Sequence, residues 1–392
     1  MTDLAPRRTR RAPSLPATLL LRCALYLGPL SVAVAAFRPL AGVAWQVPTG
    51  TLLLGWSVAQ ALAGAGAVVA RRRGPGAGAR LVGGGFAGAA ALWCAFVLLA
   101  PAAAGGGSPV GAAAIGVCGL ATLATVTAAL VTHAEVAVIR WSLPCWLLAA
   151  VAIAGAIGDA LAARVPVALL LPVAIAVAAF RAFRPAFSSG ASVGLRACDL
   201  RGFAGRLVLG VGQAGCAVLL WRAGPPAATS PAVLPLLAAV PVLEALIGWH
   251  RRQVEAGLDV AESDQEFREH VGGVNLVTIA ALLPPLAAGL ALMLGAYRLP
   301  AGLQGAREGV LAFAGGILLS GVLAVTLLLA ARNRTVVAAV LAVAPPLAAV
   351  ATPLVPALPP DPLPTVVAIL AATHLVGLLT VAQTAADPRR TS

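Results

Sequence analysis

The chain has 392 residues, of which 60% are hydrophobic and only 10% are charged, and its mean hydropathy is +0.94. This composition excludes a water-soluble globular protein, because a chain of this size cannot hide so much apolar surface from water. The formal net charge of +13 does not indicate nucleic-acid binding, since the arginines stand in short clusters between apolar runs rather than on one basic face.

Apolar runs of about 20 residues, the length that crosses a bilayer, recur along the chain. The first follows a basic segment and ends in Ala33-Val34-Ala35. This is the outline of a signal peptide, but the length of the run and the spans after it favour an uncleaved helix. The least regular span, the sixth, is short and contains Pro166 and Pro172. Twelve spans are predicted: 17–36, 50–70, 81–100, 110–131, 141–160, 164–180, 204–222, 228–248, 273–296, 308–331, 335–356 and 364–383.

The distribution of arginine orients these spans. With the N-terminus inside, 21 of the 27 basic residues, all of them arginine, fall in cytoplasmic segments, five fall outside and Arg22 falls within the first span. This asymmetry is the one that the positive-inside rule predicts, and an even number of spans returns the C-terminus to the cytoplasm. The Ala-, Gly-, Leu- and Val-rich composition without lysine indicates a bacterial source. We therefore predict a multi-pass protein of the inner (plasma) membrane.

The polar segments divide the chain into two halves. We predict an all-α polytopic membrane protein with about 12 transmembrane helices in two six-helix lobes, with both termini inside. The predicted parts are a basic cytoplasmic tail at 1–16, an N-terminal lobe at 17–180, a Ser-, Gly- and Arg-rich linker at 181–203, a C-terminal lobe at 204–383 and a second tail at 384–392.

A second long cytoplasmic segment, from His250 to Val271, carries six of the 14 acidic residues. Within it, Ser263 is followed three residues later by Glu266, the spacing of a capping box, in which the two side chains satisfy free amides at a helix start. The sequence therefore predicts a helix that begins near Asp264 and continues into the ninth span.

Small residues recur where helices could approach closely, as in the run Gly210, Gly212 and Gly215. In lipid, where no hydrophobic force drives helices together, such positions permit contact between backbones.

Enzyme chemistry has no visible support in the sequence. No nucleotide-binding loop, CxxC pair, metal-ligand cluster or Ser-His-Asp arrangement is present, and the four histidines are scattered. The cysteines that fall in apolar runs are interpreted as small apolar residues of the spans. The protein is predicted not to be an enzyme and to use no cofactor and no metal.

Polar groups inside the spans are the better indication of a site, because a charge at the bilayer centre costs roughly 2.5–3.5 kcal/mol on insertion scales. Arg22 either extends to the cytoplasmic headgroups or faces a cavity, where its planar fork suits a phosphate-bearing lipid headgroup. Glu244 is expected to form a local ion pair with Arg251 or Arg252, with a proton or ion site as the alternative. The candidate substrate-binding residues are Arg22, Gln60, Gln213, Asn275 and His374.

The uncharged candidates also have two interpretations. Gln60, Gln213 and Asn275 either form hydrogen bonds between helices or bind substrate. His374 lies deep in the last span, where it is either a packed neutral imidazole or part of a proton relay.

Two stretches resemble a known superfamily, which joins the MATE transporters, the O-antigen-type polysaccharide flippases and the lipid II flippase. Residues 241–297, PVLEALIGWHRRQVEAGLDVAESDQEFREHVGGVNLVTIAALLPPLAAGLALMLGAY, resemble a region in which a proline-containing helix precedes a basic and then acidic loop. The helix that follows carries a mid-span proline and ends in a Leu-Gly pair, here Leu294-Gly295. Residues 50–74, GTLLLGWSVAQALAGAGAVVARRRG, resemble the second helix of these proteins.

This resemblance implies a flippase or exporter of lipid-linked saccharide, or of a related amphiphile, that works by alternating access. Arg22 would correspond by location to the cavity arginines with which the lipid II flippase binds pyrophosphate. The N-terminal lobe lacks the family's acidic cluster for sodium or protons, and the first span lacks its Gly/Phe-rich opening. These departures favour lipid-linked sugar over ion-coupled drug export.

Two other functions stay open at this point. A major facilitator-type transporter shares the plan of six plus six spans, although Arg71-Arg72-Arg73-Gly74-Pro75-Gly76 lacks the aspartate of its loop signature. A non-transporting scaffold subunit of envelope biosynthesis would fit the scarcity of charge inside the spans. The expected partners are membrane lipid and a lipid-linked saccharide, without nucleic acid, and the sequence identifies no protein partner.

Overall fold

The computed structural model describes residues 15–36, 43–103, 108–187, 197–224, 229–351 and 362–385. These residues form thirteen α-helices, two 3-10 turns and no strand. The first seven helices are α1 Leu15–Ala35, α2 Gln46–Arg73, α3 Pro75–Leu99, α4 Pro109–Thr132, α5 Glu135–Trp141, α6 Leu143–Ala156 and α7 Val167–Phe187. The other six are α8 Ala197–Ala223, α9 Thr229–Val260, α10 Asp264–Tyr297, α11 Gln304–Ala331, α12 Thr335–Ala351 and α13 Pro362–Ala385.

The protein is an all-α polytopic membrane protein. Nine helices within the described ranges are long and apolar enough to cross a membrane, and α5 and α6, with a bend of 42° between them, are long and apolar enough only when taken together. Large apolar side chains such as Leu98, Leu169 and Val336 are 62–75% exposed, which suits a lipid-facing surface and not a wet one. The 32-residue α9 and the 17-residue apolar α12 are not among these helices, and the count of twelve crossings stays a prediction.

The helices pack as two bundles, which we call the N-terminal bundle (α1–α7) and the C-terminal bundle (α8–α13). One cluster of buried apolar residues runs from Leu209 to Val381, and two others lie between Leu25 and Ala182. Helix α11 is the centre of the C-terminal bundle, because its most apolar stretch is 78% buried between α9, α10, α12 and α13.

Glycines allow the N-terminal bundle to close around one large ring. A Cβ on Gly50 of α2 would lie 2.8 Å from the ring of Trp93 on α3, and a Cβ on Gly116 of α4 would lie 1.9 Å from it. The indole nitrogen of Trp93 donates to the carbonyl oxygen of Ala112 at 3.2 Å. Three helices therefore meet at one buried tryptophan.

The two bundles meet where α2 packs on α8 and α1 packs on α9. A Cβ on Gly210 would lie 2.6 Å from Cα of Ser57 on α2, and one on Gly212 would lie 2.6 Å from the carbonyl carbon of Ala342 on α12. Alternate small residues of α8 thus permit close approach on two sides, toward the N-terminal bundle and toward α12.

Several predicted span boundaries differ from the helix ends by more than a helical turn, among them two helix starts in the N-terminal bundle. The third span, predicted at 81–100, begins at Pro75, because Gly74 (φ 92°) makes a tight turn and a proline fits the first position of a helix. The fifth span, predicted at 141–160, begins at Glu135. Hydropathy misplaces both starts, because Arg80 and Arg140 lie inside the helices, near the ends that are predicted to face the cytoplasm.

The sixth predicted span is a helix, α7, although it contains Pro172 and Pro185. Helices α7 and α8 also extend into the predicted linker, as far as Phe187 and from Ala197 onward. The centre of that linker and most of both predicted tails lie outside the described residues.

The acidic segment that is predicted to be cytoplasmic is a helical hairpin and not an open loop. Helix α9 continues to Val260 and α10 begins at Asp264, which confirms the predicted helix start. The hydroxyl of Ser263 accepts from the backbone amide of Glu266 at 3.2 Å. The carboxylate of Glu266 accepts from the amide of Glu262 at 3.0 Å, one residue before the position expected for a capping box.

Candidate functional site

Four polar side chains meet where α1 packs against α9. Arg22, Tyr26 and Glu244 belong to the predicted first and eighth spans, and Glu135 is the first residue of α5, between two predicted spans. Nη2 of Arg22 lies 3.4 Å from Oε1 of Glu135, and its Nε lies 3.8 Å from Oε2 of Glu244. The hydroxyl of Tyr26 donates to Oε1 of Glu244. We call these four residues the Arg22 cluster. It joins the N-terminal bundle, which supplies Arg22, Tyr26 and Glu135, to the C-terminal bundle, which supplies Glu244.

Helix geometry explains why these residues meet. Arg22 and Tyr26 are four residues apart on α1 and so share one face. Arg22 is seven residues beyond the first residue of α1, roughly 10 Å along the axis at the usual helical rise. Glu135 reaches the same level because α4 ends in the left-handed residue His133 (φ 55°) and α5 begins two residues later.

The Arg22 cluster holds more acid than base. The exposed fraction of the side chain is 21% for Arg22, 9% for Glu135 and 26% for Glu244. One guanidinium is shared by two carboxylates, so the cluster carries a formal charge of −1 when all three groups are ionised. Nη1 of Arg22 is buried without a hydrogen-bond partner. Such an arrangement can accept a proton or a small cation more readily than an anion.

The structure overturns one expectation about these residues and adds two residues that were missed. Glu244 pairs with Arg22 of the other bundle and not with Arg251 or Arg252 of its own helix. Sequence reasoning missed Tyr26 and Glu135. The spacing of Tyr26 from Arg22 was a usable signal, but the polar turn that holds Glu135 looked like an ordinary loop.

The predicted glutamines lie at the contact between α2 and α8. The indole nitrogen of Trp56 donates to Oε1 of Gln213 at 2.9 Å, and Nε2 of Gln213 donates to the hydroxyl of Thr326 at 2.9 Å. Gln213 is 1% exposed. Gln60 is half-buried, and its Cβ faces Gly210 of α8. The oxygen and the nitrogen of the Gln213 side-chain amide therefore connect α2, α8 and α11.

Asn275 lies in a buried polar cluster within the C-terminal bundle. Its Oδ1 accepts from Nη2 of Arg332, whose Nη1 also donates to the carbonyl oxygen of Val381 at 3.3 Å. Nearby, Nδ1 of His250 lies 3.0 Å from the hydroxyl of Thr278. This cluster connects α9, α10, α11 and α13 at the end of the bundle that is predicted to face the cytoplasm.

His374 is fully buried in the C-terminal bundle, away from the contact with the N-terminal bundle. A Cβ on Gly321 of α11 would lie 1.9 Å from Cε1 of the imidazole. The backbone of Leu282 also faces the ring, yet neither ring nitrogen has a partner with hydrogen-bond geometry. The surroundings are those of a packed side chain. The five predicted residues are thus distributed over four places and do not form one site.

A pocket with an empty volume of about 320 Å³, counting the space open to the outside, lies within the N-terminal bundle. Its walls come from α1, α4, α5, α6 and α7, and they include Pro29, Thr125 and Ser142. The pocket begins one turn beyond Arg22 on α1, at Leu25. It is mostly apolar and therefore suits a hydrophobic group better than a charged one.

Metal and disulfide chemistry have no site in the part of the chain that the structure describes. Within that part, no group of three or more His, Cys, Asp or Glu side chains could hold a metal ion. Cys23, Cys94, Cys118, Cys145 and Cys216 are free thiols.

Comparisons with known proteins give structural neighbours only. No family model matches the chain, and no curated protein matches it. An inward-facing multidrug resistance MATE family transporter of the MOP superfamily is 11% identical, with a TM-score of 0.49 and 96% of each chain covered. The crystal structure of a eukaryotic MATE transporter is 13% identical, with a TM-score of 0.42 and coverage of 95% of this chain and 96% of the other.

Proposed function

We propose that the chain is an integral membrane transporter that works by alternating access, with the contact between α1 and α9 as a gate between its two bundles. The observation that carries this proposal is the Arg22 cluster, in which the bundles are joined by an ion pair and a hydrogen bond inside the membrane. Alternating access requires such contacts to form in one state and break in the other.

The charges of the Arg22 cluster suggest what drives the opening. When the bundles separate on this side, Glu244 leaves Arg22 and is exposed without a counter-ion. A bare carboxylate in the membrane is costly. Protonation of Glu244, or binding of a cation, removes that cost and weakens its attraction to Arg22. Opening of the gate is therefore coupled to the uptake of a proton or a cation.

The proposed substrate is a lipid-linked saccharide or a related amphiphile. The support for it is the resemblance of residues 241–297 and 50–74 to the flippase superfamily. Arg22 acts in this proposal mainly as the shared counter-ion of Glu135 and Glu244, because two carboxylates beside it repel a phosphate. A substrate phosphate would meet Arg22 only after Glu244 has moved away.

A scaffold subunit is the weaker candidate. Its main support was the scarcity of charge inside the spans, but the Arg22 cluster places three ionisable groups together between the bundles. A scaffold has no need of an inter-bundle ion pair with an unmatched carboxylate.

The gate is testable without knowledge of the substrate. In a background in which all six cysteines are replaced, spin labels at Leu20 of α1 and Leu258 of α9, both well exposed, report the distance between the bundles. We expect this distance to increase on acidification, because protonation weakens the pair of Glu244 with Arg22. The E244Q variant should stay at the longer distance at every pH.

The matched control is E255Q, which removes an exposed carboxylate further along the same helix. It should retain the wild-type response to pH. A distance that does not depend on pH in the wild type, or a response to pH that survives in E244Q, would exclude the proposed gate.

The substrate class needs its own assay, in which proteoliposomes flip a fluorescent isoprenyl-pyrophosphate-linked sugar. If Glu244 is part of the gate, E244Q should slow flipping and weaken its response to pH. If Arg22 instead serves only as a phosphate ligand, E244Q should leave flipping unchanged or raise it. If the wild type does not flip this lipid but its gate still responds to pH, the proposed substrate class is wrong, and the proposal of an alternating-access transporter stands.

A further inference from the structure

A second charged feature crosses between the bundles, closer to the side that is predicted to face the cytoplasm. The guanidinium of Arg206, on α8, lies directly over Gly64 of α2. A Cβ added to Gly64 would lie 1.4 Å from Nη1 of Arg206 and 2.2 Å from its Cζ. The missing side chain at Gly64 thus forms a notch that holds an arginine from the other bundle.

Two more arginines lie within electrostatic range of Arg206. They are Arg251 of α9 and Arg71 of α2, and both repel it. Arg71 and Arg251 are exposed and Arg206 is half-buried. Three positive charges from three helices and both bundles therefore converge. No carboxylate among the described side chains is paired with any of the three, since both ion pairs found there involve Arg22.

This convergence differs from what membrane orientation alone requires. The positive-inside rule favours arginines at cytoplasmic helix ends, but it does not place the arginine of one bundle in a notch of the other, where the charges of two further arginines act on it. Like charges repel each other, and an anion bound between them removes that repulsion. A phosphate group is the anion that arginine forks bind best, through two parallel hydrogen bonds.

We propose that Arg206, Arg71 and Arg251 bind the phosphate of an anionic phospholipid of the cytoplasmic leaflet, and that this lipid joins α2 to α8 and α9. The position at the membrane surface favours a lipid over a soluble ion, because the headgroups lie at the depth of these helix ends. The site is separate from the Arg22 cluster and does not depend on the proposed transport.

The test uses the full-length protein in micelles with phosphatidylcholine, to which phosphatidylglycerol is added. Phosphatidylglycerol should bind and raise the melting temperature. The R206Q and R251Q variants should bind it about fivefold more weakly each, the ratio that corresponds to about 1 kcal/mol per basic residue near an anionic surface. Native mass spectrometry counts the bound lipid, and the melting temperature reports its effect.

The matched control is R184Q, at an exposed position near the end of α7, a helix that packs only within the N-terminal bundle. It should retain full lipid binding. Equal lipid binding by the wild type and R206Q, or an equal loss in R184Q, would overturn the proposal. The first result would mean that Arg206 is not part of a lipid site. The second would mean that the lipid is attracted by the overall positive charge of the surface and not by a specific site.

Two further ligands distinguish the source of the phosphate. Inorganic phosphate at the same concentration should produce no shift, and farnesyl diphosphate should produce a smaller one than phosphatidylglycerol. A larger shift with farnesyl diphosphate that is lost in R206Q would assign the site to an isoprenyl-linked substrate, and the bilayer-lipid assignment would be wrong.

Discussion

Glu244 of α9 and Arg22 of α1 form an ion pair across the boundary between the two bundles, with Nε of Arg22 3.8 Å from Oε2 of Glu244. Each residue by itself is an unfavourable charge in a span. Together, and with Glu135 on the other side of the guanidinium, they bring three charged groups from both bundles together.

The first prediction concerns the stability of this contact. R22A leaves Glu135 and Glu244 without their shared cation, and we expect it to lower the free energy of unfolding by about 1–3 kcal/mol, less than for a fully buried pair because all three groups are partly exposed. E244Q should cost less, since it retains the hydrogen bond from Tyr26. Denaturation in detergent gives both values, and the R22A/E244Q double variant should lose less than the two single variants added together. Simple additivity would mean that the pair contributes nothing.

The second prediction concerns the chain of hydrogen bonds from Trp56 through Gln213 to Thr326. Q213L removes both bonds and leaves the indole N–H without an acceptor, so we expect a loss of about 1 kcal/mol. The W56F/Q213L double variant should lose little more than Q213L alone. A control is W141F, at an exposed tryptophan. If Q213L is as stable as the wild type, the buried amide has no structural role and becomes free to serve as a ligand.

The third prediction uses the contact between Gly321 and His374. Because a Cβ on Gly321 would lie 1.9 Å from the imidazole, G321A should destabilise the C-terminal bundle by about 1–3 kcal/mol through overpacking. The H374A substitution in the same chain should restore part of that loss, since it removes the ring that the new methyl group meets. G309A on the same helix has open space around it and should be nearly neutral. A melting temperature of G321A equal to that of the wild type would contradict the placement of His374.

The fourth prediction concerns the notch at Gly64. G64A places a methyl group where the guanidinium of Arg206 lies, so the arginine must leave and the stabilisation by phosphatidylglycerol should fall to the level of R206Q. G84A, with open space around its Cβ, is the control and should respond to the lipid as the wild type does. Because R206Q already lacks the guanidinium, adding G64A to it should change lipid binding no further. A normal lipid response in G64A would show that the notch does not position Arg206.

The fifth prediction is the orientation of the chain. Single cysteines at Arg72 and Asp259 should react with a membrane-impermeant reagent only after the cells are opened, and cysteines at Gly106, Pro225 and Gln304 should react in intact cells. The reason is the excess of arginine in the segments that are assigned to the cytoplasm. Labelling of a cysteine at Asp259 in intact cells would show that the C-terminal half has the opposite orientation in the membrane. It would also rule out the orientation of α9 that the proposed gate requires.

The sequence by itself determined the membrane class and much of the position of the helices. Length and hydropathy specify these properties locally, because in lipid every backbone amide must be satisfied within its own helix. The start of α10 at Asp264 was also predictable from the sequence, since a capping box is a local pattern. The boundaries at Pro75 and Glu135 were missed, because arginines near a cytoplasmic helix end lower the hydropathy of turns that are helical.

The partners of the polar side chains were decided only by the tertiary structure. Arg22 and Glu244 are 222 positions apart, and no local pattern indicates which bundle faces which. A local ion pair with Arg251 was the reasonable expectation for Glu244, yet the crossing of α1 and α9 brings the arginine of the other bundle closer. The same holds for Arg206, whose guanidinium reaches the other bundle because Gly64 has no side chain. Spacing along one helix predicts which residues share a face, but only the packing of helices determines what that face meets.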